Sequence, residues 1–141
     1  MSFESIRRTI QERMNSDFPA RHPTVSHFWD NQPFTQPQGT PWVFCCIHDN
    51  YMCAAELSGS STKTMGVLEF EIRIPEDTGT NTARQIADAL CAIFFDRSMS
   101  MVGQNGSVSV GGAQVKMKGV VHGWHVTQVI FDYRAWARRQ S

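Results

Sequence analysis

Neither sign of charge is in excess in this chain: thirteen Lys and Arg offset thirteen Asp and Glu over 141 residues. Proteins held to nucleic acid or to an anionic membrane by bulk charge are strongly basic, so both classes lose their usual driving force here. Charge of either kind is also scarce, at 18% of residues against about 25% in an average soluble domain. A charge-poor surface points to one partly covered by a partner. Long apolar runs are missing as well. The longest, residues 89–95 and 42–47, fall far short of the ~20 residues that span a bilayer. The first residues carry Glu4, Arg7 and Arg8 where a signal peptide would have its apolar core. The four cysteines, Cys45, Cys46, Cys53 and Cys91, form no C-x-x-C pair. Neighbours such as Cys45 and Cys46 point to opposite faces of a strand. We expect reduced thiols and synthesis in a cytoplasm.

What is present reads as one α+β domain over residues 1–141. Phe3, Ile6, Ile10, Met14 and Phe18 recur at helical spacing over residues 2–18, with Ser2 as N-cap and Pro19 as the stop. Five prolines at positions 19, 23, 33, 37 and 41 leave room only for short extended pieces, residues 25–29 and 33–37. Residues 42–54 read as a strand buried on both faces. Residues 58–64, all Ser, Gly, Thr and Lys, read as a flexible loop. Residues 65–75 alternate cleanly. Leu68, Phe70, Ile72 and Ile74 share one face, and Val67, Glu69, Glu71 and Arg73 share the other. A second helix over residues 81–96 carries the apolar stripe Ala83, Ile86, Ala87, Leu90, Ile93 and Phe94. Short strands at 108–110 and 114–121 and a final strand over 122–133 follow, then the basic residues Arg134, Arg138 and Arg139. The order predicts a two-layer α+β fold, an antiparallel sheet packed against two helices.

Catalytic chemistry finds little support. His122 and His125, with Cys45, Cys46 and His48, suggest zinc, but lack the usual C-x2-C or H-x3–5-H spacing. No G-x-S-x-G elbow and no cysteine-nucleophile signature is present. Glu69 and Glu71 sit two apart on one strand face, a possible acid–base pair, but Arg73 continues the row as solvated alternating charge does. Glu76 and Asp77 fall short of a calcium loop. Gly103–Gly106 and Gly111-Gly112 match no phosphate-binding fingerprint. Trp29, Phe34, Trp42, Trp124 and Trp136 are many large rings, several in proline-rich or terminal segments, which favours an interaction surface. The residues expected there are Glu69, Glu71, Arg73, Trp29 and Phe34.

Several segments together resemble the tail terminator (tail-completion) proteins of long-tailed bacteriophages and prophages. They are Asp30-Asn31-Gln32-Pro33-Phe34 with Pro37, then Pro41-Trp42-Val43; the strand from Gly66 to Pro75; Gly79 before the helix; Ile86-Ala87-Asp88-Ala89-Leu90; and Gly123-Trp124-His125-Val126 leading to Phe131. The resemblance implies a structural protein without catalytic residues or cofactors. Such a protein forms a ring, typically hexameric, on the last disc of the tail tube, where it stops tube growth and meets the head connector. Its partners would be further copies of itself, the tail-tube protein and the head–tail connector protein, with no membrane and no sequence-specific nucleic acid. Its place would be the host bacterial cytoplasm during assembly and then the virion tail. The alternative is a small-ligand- or metal-binding protein, or an enzyme, on the same scaffold, with a pocket near His122, His125 and the Cys45–Cys46 strand.

Overall fold

A computed structural model describes residues 2–30, 32–57, 59–76 and 81–138. Asn31, Ser58, Asp77, Gly79 and Arg139, named above, lie outside the described residues. The first helix, α1 (Ser2–Arg21), buries Ile6, Ile10, Met14 and Phe18 completely. Ser2 is its first helical residue. Pro19 does not end it, contrary to the expectation. A proline in the last turn forfeits only its own N–H bond, and the His22 N–H donates to the Phe18 carbonyl at 2.8 Å, so the turn closes around it. The second helix, α2 (Asn81–Phe94), buries its whole apolar stripe and stops two residues early, where Asp96 turns to a left-handed φ of 53°.

Six strands form one sheet: β1 (Ser26–Trp29), β2 (Trp42–Ala54), β3 (Ser61–Pro75), β4 (Ser98–Ser100), β5 (Gly106–Val121) and β6 (Trp124–Arg138). Their order is β1-β2-β3-β6-β5-β4. Neighbours are antiparallel except β1 and β2, which run parallel, so the sheet is mixed. Parallel neighbours cannot be joined by a tight turn. Residues 32–41 therefore return over the sheet and carry Phe34 with them.

Other boundaries differ from the sequence reading. Most of the polar run at 58–64 is strand. Thr62, Lys63 and Thr64 pair with Ala54, Cys53 and Met52, and Ser61 and Thr64 are buried. Threonine is β-branched and favours strands, and here that preference outweighs the run's polarity. The two short strands expected at 108–110 and 114–121 are one long β5, interrupted by irregularities between Val110 and Ala113 and between Met117 and Gly119. His122 leaves the last strand and forms the β5–β6 turn with Gly123, at φ values of 50° and 80°. That is the left-handed pair that a two-residue hairpin turn requires. The last strand instead runs on to Arg138, so Arg134 and Arg138 are strand residues rather than a tail.

Both helices cover one face of the sheet. Leu68, Phe70, Ile72 and Ile74 of β3 meet Ile86, Leu90 and Phe94 of α2 in the main core, with Val129, Phe131 and Tyr133 of β6 beside them. The predicted period-two and helical patterns thus meet as expected.

Candidate functional site

The opposite face of the sheet has no helix over it. Alternation along β2 places Trp42, Phe44, Cys46 and His48 there, opposite Arg73, Glu71, Glu69 and Val67 of β3. Trp124, Val126 and Gln128 of β6 extend the same face. Trp42, Trp124 and Val126 form a second, smaller apolar cluster, against which Phe28 and Phe44 pack. The returning segment closes it: Phe34 stacks on Phe28 at 4.6 Å between ring centroids and tilts against Trp42 at 5.7 Å and Phe44 at 5.9 Å. Trp42 meets Trp124 edge-on at 6.1 Å. Such offset and edge-to-face pairs are favoured by ring electrostatics.

Charge is laid across these rings in an ordered way. The Arg73 guanidinium carbon lies 5.4 Å from the Trp42 ring centre, and Nη2 donates to Glu71 Oε2 at 2.9 Å. Cation–π contact and ion pair hold the same arginine from two sides. His48 Nε2 lies 2.9 Å from Glu69 Oε2, and the Gln128 amide donates to the other Glu69 oxygen. Burial pushes the Glu69 carboxyl up, but these hydrogen bonds, with the charges of His48 and Lys118, hold it below its ordinary value of 4.5. A carboxylate favoured in the folded state stabilises above the unfolded pKa, and that contribution fades as pH falls through the lower folded value. Wild type should therefore be more stable than Glu69→Gln at neutral pH. The gap should close below pH 4.5, as read by unfolding midpoints across an acid series.

Between rings and charges opens a cleft of about 290 Å³, lined by Phe34, Trp42, Phe44, Cys46, Glu69, Glu71 and Arg73. Four of the five residues singled out in the sequence meet here. The fifth, Trp29, does not. It lies on the helix-covered side, 5% exposed, with its indole N–H donating to Asn15 Oδ1 at 3.2 Å. The expectation of exposed tryptophans fails for Trp42 and Trp124 too, which are buried. Proline-rich surroundings do not prevent burial when a returning segment caps the rings. Phe34 (41% exposed) and Trp136 are the accessible large rings among them. Phe44 and Gln128 were not singled out, and Cys46 and His48 were weighed only as metal ligands. The Trp42-Phe44-Cys46-His48 alternation was available, but apolar neighbours on both strand faces hide its sense, and Gln128 needs the cross-strand register.

The cleft has the means to bind and little means to react. Burial, then the nearby carboxylates of Asp30, Glu69 and Glu71, pushes the Cys46 thiol up to about 11, so it stays protonated near neutrality. Burial raises the thiol of Cys45, in the core, in the same direction. His122 sits in a turn and Cys45 in the main core, so the metal grouping weighed in the sequence is not assembled. Among the described residues no three His, Cys, Asp or Glu side chains converge to hold a metal. No helix among them is long and apolar enough to cross a membrane.

Fold and face together define a small α+β protein with helices on one side of a mixed sheet and an aromatic, charge-paired cleft on the other. The family model described as phage tail terminator protein matches residues 5–129, and the chain belongs to that family, a structural component of phage tails. One solved chain, which carries only a sequence label as its name, is similar over 100% of this chain and 99% of its own, with a TM-score of 0.78 at 21% identity. A chain from the virion of a native gene transfer agent particle is similar over 94% of this chain and 93% of its own, with a TM-score of 0.59 at 13% identity. At these identities the likeness is one of fold. No curated protein matches in sequence.

Proposed function

We propose that this chain acts as one domain that caps the tail tube as a ring, possesses no enzymatic activity and needs no cofactor. The cap ends tail polymerisation and forms the joint to the head connector. Assembly takes place in the host bacterial cytoplasm and leaves the protein in the virion tail. The observation that carries this reading is the match of residues 5–129 to the terminator family. The helix-free sheet face supports it, because aromatic floors rimmed by paired charges suit protein partners. Phe34, Glu69, Glu71 and Arg73 are the contact residues proposed for the tube end. Glu69 and Arg73 already have partners within the chain, so they contribute shape and a fixed charge pattern more than free ion-pairing capacity.

The test is to polymerise purified tail-tube protein with and without the chain and to measure tube lengths by electron microscopy. Added chain should arrest growth and appear as a ring at one end. Equal length distributions with and without the chain would overturn the reading.

A further inference from the structure

The sheet has two flanks, and each is covered over only part of its length. β1 pairs with Trp42–Cys45 of β2 and β4 with Ser107–Ser109 of β5. Further backbone bonds extend the cover on β5: from the Met101 N–H to the Gly106 carbonyl, from the Val110 N–H to the Arg97 carbonyl and from the Asp96 N–H to the Gly111 carbonyl. Among the described residues, 46–54 of β2 and 112–121 of β5 have no strand on their outer side. Open edges present unpaired N–H and C=O groups and are templates for pairing with another chain.

The open part of β5 is also apolar. Val115 and Met117 are each 52% exposed although they lie on the helix-covered side. With Ala83, Ala87 and Thr127 they line a cleft of about 280 Å³ between α2 and β5. At its wall the Thr127 hydroxyl is buried with no hydrogen-bond partner. The charges on the open β5 stretch and the cleft wall are positive, Lys116, Lys118 and Arg84, while Asp88 lies on α2 and Asp96 and Asp132 lie at the Gly111 end. The other flank carries a cleft of about 380 Å³ between α1 and β2, walled by Glu4, Asp30 and Asp49, where the one cation, Arg7, is paired with Glu4. One flank is basic and apolar, the other acidic and polar.

We infer that the β5 flank of one copy docks on the β2 flank of the next, head to tail, so that the sheet continues from subunit to subunit. This rests on the ring reading above and names the surfaces that close it. Two different patches meeting make a heterologous contact, the kind that closes into a ring. Both open stretches contain a register irregularity, between Asp49 and Tyr51 in β2 and between Met117 and Gly119 in β5. Such irregularities and edge lysines block indiscriminate pairing. They leave the edge to a strand of opposite charge and matching stagger.

Two variants of the full chain test this, each altered at exposed positions so that the fold survives, which circular dichroism checks. Lys116→Glu with Met117→Glu spoils the β5 flank, and Asp30→Lys with Tyr51→Lys spoils the β2 flank. Native mass spectrometry over a concentration series, with purified tail tubes added in a parallel set, reads the assembly state. Wild type should form rings and each variant alone should remain monomeric, while an equimolar mixture should assemble at least to dimers, since each variant keeps the flank that the other lacks. Rings from either variant, or a mixture that stays monomeric while wild type closes, would overturn the flank assignment and leave the ring reading standing. Wild type that stays monomeric even on tubes would overturn the ring reading itself.

Discussion

Phe70→Ala should lower the unfolding free energy by about 3–5 kcal/mol, the usual cost of emptying a large aromatic site in a core. Phe70 is 1% exposed and stacks on Phe94 of α2 at 5.4 Å while meeting Phe131 of β6 edge-on at 5.9 Å. Phe94 and Phe131 touch in turn at 6.0 Å, so removing the central ring loosens three elements at once. The matched control is Glu69→Ala, one residue along the strand and on the opposite face. Its loss should be much smaller, because it removes a partly exposed carboxylate and its bonds to His48 and Gln128 rather than a packed ring. Denaturant midpoints of the two variants decide the matter. Equal midpoints would mean that the two faces of β3 have been assigned the wrong way round.

Gly66→Ala should be comparably damaging, at about 3 kcal/mol or more, although it adds a single methyl group. A Cβ at position 66 would stand 2.1 Å from the His48 carbonyl oxygen and 2.5 Å from the Tyr133 ring. The first neighbour is backbone of the paired strand and has no room to retreat. The second is fully buried and donates its hydroxyl to Asp49, so its ring is held as well. Gly112→Ala is the contrast, since nothing lies within 4 Å of the added carbon and the backbone there is not left-handed. That change should stay within about 0.5 kcal/mol. Thermal unfolding of both variants measures the difference. A stable Gly66→Ala protein would mean that β2 and β3 sit further apart than described.

Much of this was legible in the residues. The buried stripe of α1, the stripe of α2 and the two faces of β3 follow from spacing alone, because each element has one wet side and one dry side. The meeting of Glu69, Glu71, Arg73 and Phe34 is partly legible too. Three of them share a strand face, and the fourth is brought over by a connection that only the parallel β1–β2 pair makes necessary. Where the reading missed, the deciding force was not local. Ser61–Thr64 looks like a loop by polarity and becomes strand because β2 and β6 lie on either side of it. Trp29 looks available beside its prolines and is buried because, as the last residue of β1, it faces α1, where Asn15 supplies the acceptor for its indole. Pro19 reads as a stop, and the helix passes it because the next turn still has its own hydrogen bond.

The strand order has a consequence for how the chain is built. β6 is the last of the described strands in sequence, yet it lies inside the sheet, between β3 and β5, in register with β3 from Ser61–Arg138 to Pro75–Trp124. During synthesis the β2–β3 hairpin therefore emerges with β3 unpaired on the side that β6 will fill, and β5 waits without the strand that ties it to the rest. Pairings so distant in sequence form late and leave sticky edges exposed meanwhile. A chain cut short before Trp124 would lose its midline rather than a frayed border, splitting the sheet into two pieces with no strand between them. Proteolytic trimming, premature stops and stalled translation should thus yield aggregates or nothing, and not a shortened protein able to compete with the intact one for its place in the particle.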